Sequence, residues 1–329
     1  MKVCVYGAGA IGGFIGARLA AEGSAEISAV ARGATLAALR AHGLRLQSGD
    51  RVTQGPVRAA EDPAELGVQD VVIIAVKGPA LPAVAARIAP LLGPDTVVMA
   101  AMNGVPWWFF ERMRGPCAGM RLESVDPDGV VSRAIPGSRV IGCVVHASAA
   151  SPEPGLVAHA MGNRLVIGEP DGSSTPRLEA LALLLARAGF DVTTSNRIQH
   201  DIWYKLWGNL TINPISALTG AAGDRILDDP LVRAFCTAAM EEAAAIGERI
   251  GCAIGETPAQ RHAVTRKLGA LRTSMLQDAE AGRPLEIDAI VGVVKEIGER
   301  VGVPTPNIDA LLGLIRLFGR TRGLYPDAA

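Results

Sequence analysis

The sequence lacks the features that mark membrane, secreted and nucleic-acid-binding proteins. Its formal net charge is −1, so no long-range field attracts nucleic acid or an anionic membrane. The longest apolar runs, such as Val71–Val76 and Val97–Met102, are too short to span a bilayer. The apolar stretch that begins at Val3 has neither a basic leader nor a cleavage site, so no signal peptide is predicted. We therefore predict neither a membrane nor a nucleic-acid partner.

Cysteine and lysine are also scarce. The five cysteines are odd in number, scattered and without a C-x-x-C pair, which predicts a reduced, cytoplasmic compartment and no metal site. Only five of the 32 basic residues are lysines. Each lysine is therefore a candidate for a specific role.

The first half of the chain alternates short apolar runs with helical stretches, the pattern of a parallel sheet covered by helices. The stretch Arg139–Ile167 differs, because its β-rich pieces are separated by Ser, Pro and Gly. It predicts antiparallel strands at the far end of the sheet. The other predicted elements are strands at Lys2–Tyr6, Ile27–Ala31, Val71–Val76, Val97–Met102 and Asp191–Thr194, with helices at Ile11–Ala21 and Leu178–Ala188.

Strand patterns stop near residue 197, and the remaining sequence predicts helices. These are Ile198–Gly220, Leu231–Ile250, Glu256–Ala281, Glu286–Val301 and Ile308–Phe318. A chain of 329 residues is long for a single core, so two domains are expected. The predicted fold class is α/β, with an N-terminal Rossmann-type doubly wound sheet at residues 1–196 and an all-helical C-terminal domain at 197–329.

A glycine-rich loop follows the first predicted strand and opens a helix. Its sequence is Gly7-Ala-Gly9-Ala-Ile-Gly12. The first glycine permits a tight turn, the second lets the backbone approach a pyrophosphate, and the third lets helix and strand pack closely. The helix N-terminus adds oriented N–H groups and a favourable dipole. We predict a dinucleotide cofactor bound by Gly7, Gly9, Ala10, Ile11 and Gly12. The alternative is a structural glycine-rich turn.

The end of the second predicted strand indicates which dinucleotide binds. A site that prefers NAD usually places a carboxylate there for the ribose 2′-hydroxyl, but Ala31 is followed by Arg32 and Gly33. An arginine can pair with a 2′-phosphate, which an acid would repel. Arg32 therefore predicts NADPH. The alternative is that Arg32 is a solvated loop residue and that cofactor choice is loose.

Two polar residues end neighbouring predicted strands. Lys77 follows Val71–Val76, and Asn103 with Gly104 follows Val97–Met102. The carboxyl ends of parallel strands are where α/β sheets bind ligands, so both residues are predicted to line a cleft. Alternatively, Lys77 is an exposed strand terminator and Asn103 a turn former.

Polar side chains also recur along one predicted helix. Lys205, Asn209 and Asn213 lie at i, i+4 and i+8, on one face of a helix that is otherwise rich in tryptophan and leucine. Such groups are costly to bury without partners, so we interpret Lys205 as a donor to a substrate oxygen, oriented by the two amides. The alternative is that all three face solvent.

A later pair, Ser274 and Asp278, shares another helical face. Glu286 is placed in the first turn of the next helix, which by itself is ordinary capping chemistry.

Taken together, these residues make the chain similar to the ketopantoate reductase family along nearly its whole length. The resemblance implies NADPH-dependent reduction of 2-dehydropantoate to (R)-pantoate in pantothenate biosynthesis. It implies Lys205 as the general acid and Glu286 as the residue that holds and tunes it. Substrate is then bound by Asn103, Asn209, Asn213 and Ser274, and the cofactor also by Arg32, Lys77, Asn103 and Glu286. A homodimer through the helical domain is compatible with the family.

The sequence departs from the family pattern at one place. Met102 stands where a polar neighbour of Asn103 is expected, and the following run Trp107–Phe110 is bulky and aromatic. If that run reaches the pocket, it would favour a larger or more apolar keto acid; the alternative is an aromatic helix packed against the sheet. The alternatives are therefore a reductase of another bulkier or aromatic 2-keto acid and a non-catalytic NADP(H)-binding regulator.

Overall fold

The computed structural model describes residues 1–327, and within them the chain forms ten strands, twelve α-helices and one π-helical turn. The strands are β1 (Lys2–Tyr6), β2 (Glu26–Val30), β3 (Leu44–Ser48), β4 (Arg51–Gly55), β5 (Arg58–Ala60), β6 (Gln69–Ile74), β7 (Leu92–Ala100), β8 (Val140–Glu153), β9 (Leu156–Gly168) and β10 (Asp191–Thr194). The helices are α1 (Ala10–Glu22), α2 (Gly33–His42), α3 (Leu81–Ala85), α4 (Val130–Ala134), α5 (Pro176–Arg187), α6 (Ile198–Thr219), α7 (Gly223–Asp228), α8 (Pro230–Arg249), α9 (Pro258–Arg266), α10 (Ser274–Glu280), α11 (Val293–Val301) and α12 (Pro306–Thr321). Over these residues, no helix combines the length and apolar character that a membrane span requires.

Two compact units divide the chain. The first contains Met1–Met102, Trp108–Met113 and Asp128–Asp201, and the second contains Asn103–Trp107, Arg114–Pro127 and the residues from Ile202 onward. The first unit holds all ten strands, and the second is helical. A mixed α/β half followed by a helical half confirms the predicted fold class. The predicted boundary at residues 196 and 197 stays a prediction.

The sheet of the first unit is doubly wound about its first strand. Its order is β4-β3-β9-β8-β7-β6-β1-β2-β5, with β10 beside β9. All pairs from β8 to β5 are parallel. The chain builds outward from β1 to β2 and β5 on one side, and to β6, β7 and β8 on the other. The order therefore reverses at β1, which is the position where such sheets bind dinucleotides.

Helix α1 lies in the core of this unit. Phe14 is fully buried, with its ring stacked 4.5 Å from His159 and edge-on to Phe190 at 5.3 Å. A Cβ at Gly16 would lie 3.0 Å from Val5 on β1 and 3.2 Å from Leu44 on β3. The small residues of α1 thus allow strands to pack against it on two sides, which keeps its N-terminus fixed at the end of β1.

Several elements of the first unit differ from the prediction. Strands β3, β4 and β5 were not predicted, since they are short and carry exposed polar residues. The antiparallel pair β8 and β9 is two long strands rather than three pieces. The pair lies inside the sheet and not at its end, because β3 pairs with β9 in parallel and β4 continues beyond it.

The helices of the second unit differ from the prediction at three places, the first of which is the short helix α7, which was not predicted. Helix α6 is continuous through Pro214, as predicted. The single helix predicted at Glu256–Ala281 is wrong: the chain leaves the helical conformation at Gly269, whose φ is +63°, and α10 begins after Thr273 caps it. The helix predicted to start at Glu286 instead opens with a π-helical turn at Asp288–Gly292. Glu286 therefore lies just before the helix and not in its first turn.

Candidate active site

The glycine loop of the first unit has the geometry of a phosphate cradle. Gly7 has a φ of +97°, which favours glycine. A Cβ at Gly12 would collide with the carbonyl oxygen of Gly7 and would lie 2.9 Å from Ala75 Cβ. A Cβ at Gly9 would have nothing within 4 Å. Two glycines thus form the turn and the close packing, and the one between them faces open space, as a bound pyrophosphate requires.

The start of α1 leaves its backbone N–H groups to a ligand. Gly9 is the N-cap residue, and no side chain caps this end of the helix. The first turn, which includes Ala10 and Ile11, carries no acidic residue. The first N–H groups of a helix have no partner within it and attract anions. The predicted loop residues therefore lie together in one place suited to a phosphate.

Arg32 is the N-cap residue of α2 and lies two residues beyond the end of β2. Its side chain is exposed and, among residues 1–327, forms no side-chain hydrogen bond or ion pair. Burial raises the pKa of Tyr6, the last residue of β1, and the positive charges of Arg87 and Arg32 partly offset that rise. The guanidinium of Arg32 therefore lies near the end of β1, where the glycine loop starts. Lys77 belongs to the same unit and is half-buried, three residues after β6 ends.

The second unit brings two of the predicted residues into direct contact. Lys205 lies on α6, and its Nζ donates a hydrogen bond to Asn103 Oδ1 at 2.9 Å. Both side chains are half-buried, and the α6 residues around Lys205, Trp203 and Leu206, are almost fully buried. This contact and this burial favour the interpretation of Lys205 as an oriented donor over the alternative in which it faces solvent. The sequence predicted both residues but gave no indication that they touch.

The turn that carries Asn103 is held by the π-helical turn. Val105 N–H donates to the carbonyl oxygen of Ala289 at 2.9 Å. Gly104, with a φ of +80°, packs so closely that a Cβ there would collide with the same carbonyl. In the π-helical turn, Val293 N–H donates to Asp288 five residues earlier, so the Ala289 carbonyl is directed to another donor. Sequence analysis missed Ala289, because a carbonyl group carries no side-chain signal.

The remaining predicted substrate residues lie along α6 and at the start of α10. Asn209 is half-buried, Asn213 is 5% exposed and Ser274 is exposed. Ser216 Oγ donates to the carbonyl of Asn213 at 2.7 Å and shares a 2.5 Å hydrogen bond with Thr273 Oγ1. This link fixes the residue before Ser274 to the helix that carries Lys205, Asn209 and Asn213.

Glu286 is buried in the same unit, with 8% of its surface exposed. It lies three residues before Ala289, whose carbonyl holds the Asn103 turn. Asp278, the partner predicted on the face of Ser274, is also buried but pairs with Arg283 at 3.0 Å. Through Arg283, Asp278 thus contacts the turn between α10 and the Glu286 segment.

The aromatic run after Asn103 is part of the core. The side chains of Trp107–Phe110 are between 0 and 3% exposed. Trp108 packs on Gly142 of β8, where a Cβ would lie 2.9 Å from its Cζ2, and the rings of Phe109 and Phe110 meet edge to face at 4.9 Å. The run forms turns rather than the helix of the packing alternative. Its burial favours packing over contact with a ligand.

Two family models cover most of the chain. One, described as Ketopantoate reductase PanE/ApbA, matches residues 3–172. The other, described as the C-terminal part of Ketopantoate reductase PanE/ApbA, matches residues 197–318. The first includes the glycine loop, Arg32, Lys77 and Asn103, and the second includes Lys205 and Glu286.

Relatives that match nearly the whole chain are named 2-dehydropantoate 2-reductase or ketopantoate reductase. The 2-dehydropantoate 2-reductase of Mesorhizobium japonicum is 46% identical over 99% of this chain and 100% of its own length. The structure of a ketopantoate reductase candidate from Ralstonia solanacearum MolK2 is 58% identical, with a TM-score of 0.95 over 98% of this chain and 99% of that one. The 2-dehydropantoate 2-reductase of Geobacter metallireducens GS-15 superimposes with a TM-score of 0.84 at 27% identity, over 97% of this chain and 100% of that one.

Proposed function

Because the chain belongs to the ketopantoate reductase family, we propose that it reduces the keto group of 2-dehydropantoate to the hydroxyl group of (R)-pantoate with NADPH, as a step of pantothenate biosynthesis. The observation that carries the proposal is the Lys205 ammonium group, oriented by Asn103 on a helix whose neighbouring residues are buried. An ammonium group held in this way is suited to a developing alkoxide.

The first unit fits a dinucleotide with a 2′-phosphate. Gly7 and Gly12 form the turn and the close packing, and Gly9 leaves open space over the N-terminus of α1, which suits the pyrophosphate. Arg32, exposed and without an acidic partner among residues 1–327, is proposed to pair with the 2′-phosphate, and Lys77 with the adenosine phosphates or ribose. When bound, NADPH supplies the hydride.

Lys205 is proposed to act as the general acid. Negative charge develops on the keto oxygen as its carbon is reduced, and the ammonium group stabilises that charge and then transfers one proton to the oxygen. An ammonium has three N–H donors, so the bond from Nζ to Asn103 Oδ1 restricts its rotation and sets the direction of the others. Glu286, buried in the same unit, is proposed to hold and tune the lysine.

Asn209, Asn213 and Ser274 are proposed to bind the hydroxyl and carboxylate ends of the substrate. Their amide and hydroxyl groups can donate to a carboxylate or accept from a hydroxyl. The hydrogen bonds that Ser216 forms with Asn213 and Thr273 support this assignment, since they tie the start of α10 to α6. Asn103 is proposed to contact both substrate and cofactor.

The test is NADPH oxidation, followed by absorbance, with 2-dehydropantoate beside a panel of aliphatic and aromatic 2-keto acids. We expect 2-dehydropantoate to give the highest kcat/KM of the panel. Faster turnover of a bulkier keto acid would contradict 2-dehydropantoate as the substrate and would leave the proposed mechanism unchanged. Absence of turnover across the panel, with NADPH still bound, would favour a regulator over an enzyme.

Three further assignments belong to the same proposal. Residues 1–196 are proposed to bind the cofactor and residues 197–329 to bind substrate and catalyse the reaction. The chain is proposed to act in the cytoplasm on a small-molecule keto acid, with a homodimer as its assembly.

A further inference from the structure

A short segment after the last helix contacts the residues around Glu286. We call Arg322–Asp327 the C-terminal strap. Helix α12 ends at Thr321, and Gly323, with a φ of +67°, turns the chain back. Leu324 N–H donates to the carbonyl of Gly319 at 2.7 Å, and the Leu324 side chain is 5% exposed. The strap lies beyond residue 318, where the family match ends.

Two hydrogen bonds connect the strap to the chain on either side of Glu286. Leu285 N–H donates to the Leu324 carbonyl at 3.0 Å. The Tyr325 hydroxyl donates to Asp288 Oδ1 at 2.8 Å, and Arg316 donates to the same oxygen at 3.3 Å. One bond precedes Glu286 by a residue and the other follows it by two, so the backbone at Glu286 is held from both sides.

Packing makes this arrangement specific. A Cβ at Gly319 would lie 2.6 Å from Tyr325 Cβ and 3.3 Å from Ile287 Cδ1, so only a glycine lets both residues pack on α12. The guanidinium groups of Arg316 and Arg320 lie 5.9 and 5.7 Å from the Tyr325 ring, a cation–π distance. Burial, followed by the hydrogen bond to Asp288, raises the pKa of Tyr325. The phenol therefore remains a donor at neutral pH.

The segment held by the strap also holds the Asn103 turn. Asp288 is followed by Ala289, and the Ala289 carbonyl accepts from Val105 N–H at 2.9 Å. Asn103, at the start of that turn, accepts from Lys205. A chain of bonds therefore runs from Tyr325 through Asp288 and Ala289 to the turn that orients the lysine.

We propose that Tyr325 and Asp288 are positioning residues for the reaction, and that the C-terminal strap holds Glu286 and the Asn103 turn in register with Lys205. This inference rests on the proposed function, because it assigns the strap a role in the same site. Neither residue touches the substrate in this scheme; both act through the Leu285–Ala289 backbone.

Tyr325→Phe removes only the hydroxyl group and keeps the packing on Gly319. We expect kcat to fall about tenfold, the effect of one hydrogen bond to a charged group, with the KM for NADPH unchanged. Asp288→Ala should lower kcat by a similar factor. Asp288→Asn, which still accepts a hydrogen bond from the phenol, should retain kcat within about threefold of wild type. Arg322→Ala is the matched control, since this strap residue contacts Phe318 and not the Leu285–Asp288 segment.

Hydrogen exchange of the Leu285–Ala289 amides provides a second measurement that does not depend on turnover. In Tyr325→Phe we expect faster exchange at these amides and unchanged exchange in α8. A kcat within twofold of wild type, or faster exchange throughout the chain, would overturn the positioning role. A wild-type protein that fails to reduce 2-dehydropantoate would instead refute the proposed function. In that case, unchanged exchange of the Leu285–Ala289 amides in Tyr325→Phe would overturn the proposed role of the strap as well.

Discussion

The candidate site of the first unit consists of backbone groups, whereas that of the second unit consists of side chains. In the first unit, Gly7–Gly12 are consecutive residues that offer backbone N–H groups and open space. In the second, the side chains of Asn103, Lys205 and Glu286 come from three distant segments, held by hydrogen bonds such as that from Val105 N–H to the Ala289 carbonyl. A backbone cradle depends on where a Cβ does not fit, whereas a side-chain site depends on how distant segments pack. Substitutions should therefore damage the two sites in different ways.

The largest effect is expected at the centre of the side-chain site. Lys205→Met keeps the length of the side chain and removes its charge and its proton. We expect kcat to fall about 10²–10⁴-fold, the usual contribution of a general acid, with the Kd for NADPH unchanged. Steady-state kinetics and a fluorescence titration of NADPH measure the two quantities. Lys267→Ala, at an exposed lysine beyond α9, is the control, and an unchanged kcat in Lys205→Met would eliminate the proposed acid.

The backbone cradle should respond according to the position of the glycine. Gly12→Ala places a Cβ against the Gly7 carbonyl, and we expect the free energy of unfolding without cofactor to fall by about 3 kcal/mol, the upper range for overpacking. Gly9→Ala has open space, so its unfolding free energy should change by less than about 0.5 kcal/mol, while NADPH binding weakens. Urea denaturation and NADPH titration test this pair. Equal stability losses in both variants would contradict the separate roles of the glycines.

Gly104 in the second unit is another glycine with no room for a Cβ, and it can be compared with a glycine that has open space. Gly104→Ala would place a Cβ against the Ala289 carbonyl, at a φ of +80°. The turn must shift, Asn103 moves from Lys205, and we expect kcat to fall about 10- to 100-fold, as for a displacement of about 1 Å near the reacting atoms. Gly313→Ala is the matched control, because a Cβ there has nothing within 4 Å. Equal kcat values for the two variants would show that the role of Asn103 does not depend on the conformation of this turn.

The difference between the units also explains what the sequence could predict. The strand Lys2–Tyr6 and the glycine loop were predicted to the residue, because periodicity and glycine spacing are local signals. The shared face of Lys205 and Asn213 was predicted for the same reason, since α6 is one continuous helix. These features require no knowledge of which distant segments meet.

Contacts between distant segments had no such signal. The Ala289 carbonyl and the Tyr325 hydroxyl act only because the π-helical turn and the strap meet the Asn103 and Glu286 segments. The break between α9 and α10 was missed because one glycine, Gly269, is tolerated in many helical patterns. The roles of Glu286 and Ser274 came from the family resemblance and remain proposals.

The smallest effect is expected where a side chain assists the backbone cradle. Arg32 is the N-cap residue of α2 and is exposed, so water and salt weaken any pair that it makes with a 2′-phosphate. Arg32→Asp should lower the preference for NADPH over NADH about tenfold, measured as the ratio of kcat/KM values, through loss of the pair and repulsion by the new acid. Arg40→Asp makes the same charge change on the same helix, where the Arg40 Nε donates to the Ala59 carbonyl, and should leave the ratio within about twofold. If both variants shift the ratio equally, the preference comes from the general charge of α2. If neither does, the 2′-phosphate is held by other residues, and the first unit selects its cofactor without Arg32.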